Sequence, residues 1–141
     1  MQITRQSEYA IKTLLELARI PFGQTMPTGE IAEEQDIPEV FLKKTIQMLV
    51  RGGLVATQRG AQGGVRLSVS AEQVTIMDII EAVEGPLAIN PCLTKGNHCQ
   101  NESLCQLRPV LERAQSALKK ELSRETLQEI LDNSRRAASR S

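Results

Sequence analysis

Three cysteines, Cys92, Cys99 and Cys105, fall in one short stretch, with six residues between the first two and five between the last two. Thiolates are the usual ligands of iron–sulfur clusters. A loop that also holds Pro91, Gly96 and Asn97 can wrap its sulfurs round one centre. The spacing lacks the close Cys-x-x-Cys pair usual for zinc. It leaves open that the thiols are unconnected and simply buried. The N-terminal residues carry no apolar signal region and no apolar run approaches a membrane span, so a soluble cytoplasmic chain with no membrane partner is expected. In a reducing compartment an odd number of cysteines argues for metal or redox chemistry over a disulfide framework.

A second group of residues suits contact with a polyanion. The chain has 17 basic and 17 acidic residues, so its net charge is zero and distribution matters more than the total. Between Asp36 and Leu67 the basic residues are Lys43, Lys44, Arg51, Arg59 and Arg66, against Asp36 and Glu39. The acidic surplus lies elsewhere, in Glu30, Glu33, Glu34 and the later helices. An enzyme is not expected. There is one histidine, His98, no nucleophile–base constellation, and Gly60 to Gly64 lacks the Lys-Ser/Thr of a phosphate loop.

The elements that must position these groups are mostly helices. With only Tyr9, Phe22 and Phe41 as aromatic residues, the core of this 141-residue chain must be aliphatic. A first helix runs from Thr4 to Ile20, capped by Thr4 or Ser7, with Tyr9, Ala10, Thr13, Leu14, Leu17 and Ala18 at spacings of three and four. Thr28 caps a second helix to about Gln35, and Asp36-Ile37 turns the chain. Pro38 suits the first position of a third helix, which carries Val40, Leu42, Ile46, Leu49 and Val50 inward and stops at Gly52-Gly53. Two strands, Leu54–Thr57 and Val65–Ser68, flank a glycine-rich loop and form a hairpin. Thr75 caps a helix over Ile76–Glu84. After an irregular stretch from Leu87 to about Ser103, Leu104, Leu107, Leu111, Ala114 and Leu118 form a coiled-coil seam on a long helix. A short helix begins at Thr126.

The fold class expected is mainly α with a small β-hairpin wing: a winged helix-turn-helix plus a long dimerisation helix. Residues 1–84 form the DNA-binding domain, 85–105 the cysteine loop, 106–133 the dimerisation and C-terminal helices, and 134–141 a disordered tail. The third helix would enter the major groove of duplex DNA, presenting Phe41, Lys43, Lys44, Gln47 and Arg51. Arg59 on the wing supplies charge, while Gly60, Gly63 and Gly64 let backbone amides approach phosphate. Thr28, at the start of the second helix, joins these candidates. Alone, the two lysines suit a solvated helix face and the glycines a plain turn. The order of helix, turn, helix, Gly-Gly, strand, Arg-Gly, Gly-Gly, strand is what favours DNA.

Thr4, Tyr9-Ala10, Ile31-Ala32, Leu42, Gly53-Leu54-Val55, Arg59-Gly60-x-x-Gly63-Gly64-Val65-x-Leu67 and the cysteine loop together resemble the IscR, NsrR and RirA family of bacterial regulators. The resemblance runs from Met1 to about Leu131 and implies a homodimer, in agreement with the seam. It implies a transcription regulator, a repressor on a palindromic operator, with half-sites about one helical turn (~34 Å) apart. It also implies an iron–sulfur cluster (4Fe-4S or 2Fe-2S) on Cys92, Cys99 and Cys105 that senses iron, cluster status, nitric oxide or redox state. The fourth ligand is open. IscR-like members place a histidine three residues after the last cysteine, where this chain has Arg108. NsrR-like members use an acidic residue on the first helix of the other subunit, the place of Glu8 here. Glu8 also suits a solvated first-turn carboxylate favoured by the helix dipole. His98 or a small molecule are the other candidates. The rival readings are a regulator of the same fold that uses thiols or zinc without a cluster, and an iron–sulfur interaction protein that does not bind DNA.

Overall fold

A computed structural model describes residues 3–89, 93 and 106–139. Among them the elements run α1 (Arg5–Ala18), α2 (Thr28–Gln35), α3 (Glu39–Arg51), β1 (Val55–Gln58), β2 (Gly64–Leu67), α4 (Ile76–Glu84), α5 (Arg108–Leu122) and α6 (Leu127–Ser139). This is the mainly helical fold with a two-stranded antiparallel hairpin that the sequence predicts.

Helix α1 starts where expected. Thr4 is extended and its Oγ1 accepts from the Ser7 N–H at 3.2 Å. Ala10, Leu14 and Leu17 are buried on one face, and the buried Thr13 hydroxyl donates to the Tyr9 carbonyl at 2.7 Å. The Glu84 carboxylate, at the end of α4, accepts from the hydroxyls of Ser7 (2.9 Å) and Thr4. An acidic group is thus set at the positive end of α1.

The starts of α2 and α3 correct two expectations. Thr28 is the first helical residue, not the cap, and makes no side-chain cap bond. The cap position belongs to Pro27, whose carbonyl accepts from Glu30 (3.0 Å) and Ile31 (3.2 Å). Pro38 does the same for Phe41 and Leu42, both at 3.0 Å, and so precedes the first helical residue rather than occupying it. Between the helices, Asp36 adopts φ +53°, the one non-glycine positive φ among the described residues. Its left-handed backbone reverses the chain, and the Ile37 N–H donates to Ala32 at 2.9 Å.

Along α3, Leu42, Thr45, Ile46 and Leu49 are buried, but Val40 is 70% exposed and Val50 40%. Both valines were expected inward. At about 100° per residue, Val40 stands on the far side of the helix from Leu42, and Val50 lies at the boundary of the buried face. Gly53, at φ +76°, ends the helix; its N–H donates to Val50 and the Leu54 N–H to Leu49, each at 3.0 Å.

The strands pair Val55 with Leu67 and Gln58 with Gly64, each displaced one residue from its expected span. Val65 also exchanges both backbone bonds with Met26 (2.8 and 2.9 Å), so the segment before α2 forms a third rung. Helix α4 carries a reciprocal cap: Thr75 Oγ1 accepts from the Asp78 N–H at 3.2 Å and Asp78 Oδ2 from the Thr75 N–H at 2.9 Å. Thr75→Ala is expected to lower stability by about 1 kcal/mol in urea denaturation.

Two features lie beyond the sequence reading. Helix α5 begins at Arg108 and buries no residue of its own; Leu118 and Leu122 pack on Met77, Ile80 and Leu87, while Leu107 and Val110 are exposed. Leu104, the first residue of the predicted seam, lies outside the described residues. Helix α6 continues to Ser139, through most of the tail expected to be disordered. Its Arg-Arg-Ala-Ala run consists of good helix formers. Leu127, fully buried, joins the main core with Leu14, Leu17 and Val74, and its N–H donates to Val74 at 2.8 Å. The core formed by the helices and strands of residues 3–84 is therefore closed by a residue from beyond them. No helix of the described residues is long and apolar enough to cross a membrane.

Candidate nucleic-acid interface and cysteine segment

The inward residues of α3 leave a polar stripe outside. Lys43, Lys44, Gln47 and Arg51 are all exposed, as the sequence predicts. Phe41 is half exposed, and its ring stacks on Tyr9 of α1 at 6.3 Å between centroids and 28° between planes. Beside this pair, a shallow cleft of about 280 Å³ is lined by Arg5, Gln6, Tyr9, Phe41, Lys44 and Thr45. The sequence places Tyr9 with the core-facing residues of α1 and gives Arg5 no role. The structure brings both beside α3. The periodicity marks Tyr9 as apolar but not as a boundary residue, so the signal was too coarse.

Arg59 and Gly60 are exposed at the start of the wing loop. Gly60 has φ +110°, and a side chain there would meet nothing within 4 Å. Its backbone is open to a large partner. Gly63 and Gly64 are different. A Cβ on Gly63 would collide with the Gln58 carbonyl, and one on Gly64, at φ +148°, with the Met26 carbonyl. Glycine at these two positions is required by the packing of the wing on itself and on the Met26 segment, whatever the loop touches. The Thr25 hydroxyl donates to the Gln62 carbonyl at 3.0 Å and holds the tip against the strand-like segment before α2. Thr28 is partly buried in the first turn of α2.

Glu8 is exposed on the first turn of α1, with Lys12 Nζ at 3.3 Å from its Oε1. Cys92, Cys99 and Cys105, and the competing His98, lie outside the described residues. Among the described residues no three His, Cys, Asp or Glu side chains converge. The N-terminal flank of the cysteine segment is anchored: Leu87 is buried against Met77 and Ile80, and the Ile89 N–H donates to Gln115 Oε1 of α5 at 3.1 Å.

Residues 3–133 match the sequence profile of Rrf2, described as "Iron-dependent Transcriptional regulator". The chain belongs to the Rrf2 family. This bears out the resemblance drawn from the arginine-glycine wing and the cysteine loop, and makes the chain a transcription regulator rather than an enzyme. A curated relative, "Protein aau3" of Rhizobium meliloti, is 33% identical over 93% of this chain and 85% of its own length. Among solved structures, the Rrf2-type fold is shared with IscR of T. potens (26% identity, TM-score 0.77, covering 97% of this chain and 90% of that one). It is shared equally with CymR, the global cysteine regulator of B. subtilis (26% identity, TM-score 0.76, covering 94% and 98%).

Proposed function

We propose that this chain is a cytoplasmic homodimeric repressor that binds palindromic duplex DNA, with an affinity set by an iron–sulfur cluster (4Fe-4S or 2Fe-2S). The observation that carries the DNA reading is the phase of α3. Leu42, Ile46 and Leu49 fix the helix to the core, so Lys43, Lys44, Gln47 and Arg51 lie on its exposed side, and Gln47 and Arg51 share a cleft with Thr57 of β1, the strand that leads to Arg59. In this reading α3 lies in the major groove, Phe41 and Thr28 flank it, and Arg59 with the backbone of Gly60 engages phosphate, while the Gly63 amide is spent on the Gly60 carbonyl at 3.0 Å and Gly64 pairs with Gln58. The exposed Leu107, just before α5, and Val110, on its first turn, support pairing of two copies along that helix.

The donor set suits a cluster. Cys92, Cys99 and Cys105 offer three thiolates from a segment anchored at Leu87 and Ile89, and the partner subunit's Glu8 offers an exposed carboxylate on α1. A cluster held there supplies a centre sensitive to iron supply and to oxidants. Glu8 would link that centre to the helix against which Phe41 of α3 stacks through Tyr9. The likeness to CymR, a cysteine regulator, favours one alternative: a thiol sensor without a cluster.

The test is selection of duplexes from a random library with anaerobically prepared protein, followed by titration of the cluster-bound and cluster-free forms. We expect a palindrome and at least a tenfold difference between the forms. Equal affinity would sink the sensing role, and a colourless active protein would favour the thiol reading. Arg59→Ala should weaken binding about tenfold on every sequence, the worth of one charge-assisted contact, and should reduce the salt slope by about one.

A further inference from the structure

The exposed stripe of α3 begins with an apolar side chain. Val40 is 70% exposed and stands one turn before Lys43 and Lys44, with Gln47 and Arg51 two and three turns on. It belongs to neither hydrophobic cluster of the fold. The Glu39 carboxylate lies over the start of α2, where a side-chain carbon on Gly29 would stand 3.4 Å from its Oε1. The Phe41 ring is held against Tyr9. Val40 is thus the groove-side residue nearest the N-terminus of the helix, and the position is apolar with no folding role to explain it.

We infer that Val40 reads the 5-methyl group of a thymine in each half-site. The inference rests on the DNA-binding reading above and deepens it. The N-terminal residues of a recognition helix are the ones that reach base edges. Of the groups that base pairs expose in the major groove, the thymine methyl is the one that an isopropyl group can cover favourably. Against a guanine or cytosine edge, the same side chain would cover polar atoms and return no hydrogen bond. The surrounding lysines supply attraction to phosphate and hold the valine at the groove floor. Gln47 then reads acceptors and donors further along, so the thymine is expected opposite the start of α3.

The test uses the operator selected by the wild-type chain. Each thymine is replaced singly by deoxyuridine, which deletes only the methyl group. One thymine per half-site should show an affinity loss of about fourfold with wild type, the equivalent of one buried methyl group. Val40→Ala should lose a similar factor on the intact operator and become indifferent to uracil at that position. Val40→Ile should keep the discrimination. Both substitutions at this exposed position are expected to change the melting temperature little. Equal sensitivity of wild type and Val40→Ala to uracil at every position would overturn the inference and leave the DNA reading intact. Half-sites without thymine would do the same. Failure of the wild-type chain to enrich any duplex would overturn the DNA reading and the inference with it.

Discussion

Replacing any one of Cys92, Cys99 or Cys105 by alanine is expected to remove the visible absorption of the anaerobically purified protein and abolish the difference between its two DNA-binding forms. The size of the effect follows from ligand number. Three thiolates and one further group complete the site in this reading, so one alanine leaves two thiolates to carry a cluster that wants four ligands. Partial loss is not expected from any of the three. Glu8→Ala is a milder change, because a carboxylate is a poorer iron ligand in such clusters and water or a small molecule can take its place. It should leave a coloured protein of lower stability towards oxygen. Absorption spectra and iron analysis of the four variants check both statements, and a thermal melt of the cluster-free forms separates loss of the cluster from loss of the fold. A colourless, zinc-loaded wild type would overturn the cluster.

Leu127→Ala should lower the free energy of unfolding by about 2–5 kcal/mol, the range for truncating a large aliphatic side chain in a core that cannot collapse around the hole. Leu127 is fully buried in the cluster that contains Leu14, Leu17 and Val74. The chain enters α6 through two further bonds, Leu127 N–H to Val74 and Gln128 N–H to Ala71 at 2.8 and 3.1 Å. Against a total stability of about 5–15 kcal/mol for a chain of this kind, the loss would be visible as a large fall in the denaturation midpoint with little change in slope. A loss below about 1 kcal/mol would mean that α6 is not part of the unit that unfolds with the head.

The parts of the fold that were legible in the sequence are those specified by a few adjacent residues. Thr4 and the pair Thr75 and Asp78 announce helix starts because their side chains make the cap bonds. Gly53 announces a stop because its backbone needs a positive φ. The hairpin is legible in Gly63 and Gly64, though for an internal reason: each avoids a carbonyl of its own chain. Thr28 misled because the rule for side-chain caps competes with Pro27, whose carbonyl serves the same turn. Val40 misled because it was assigned by its type rather than its phase; only the angle from Leu42 shows that it faces outward. The place of Leu127 was not legible at all. An amphipathic helix states that it has an apolar face, and nothing within its own residues says that the face will be covered by α1, more than a hundred positions earlier. For the same reason the closeness of Arg5 and Tyr9 to α3 had to come from packing.

The return of α6 to the core has a practical consequence for anyone exchanging DNA-binding heads among Rrf2 proteins. The obvious graft would end at Glu84, after the last helix of the N-terminal run. Such a piece would carry a Leu127-shaped slot and leave the Val74 and Ala71 carbonyls without the amides that bond them here. The transplantable unit is two lengths of chain, 3–84 and the helix from Leu127 onward, joined by a new linker in place of α5. A piece that carries both lengths is expected to melt at a higher temperature than one built from the first length alone, because only the former fills the slot and pairs those carbonyls.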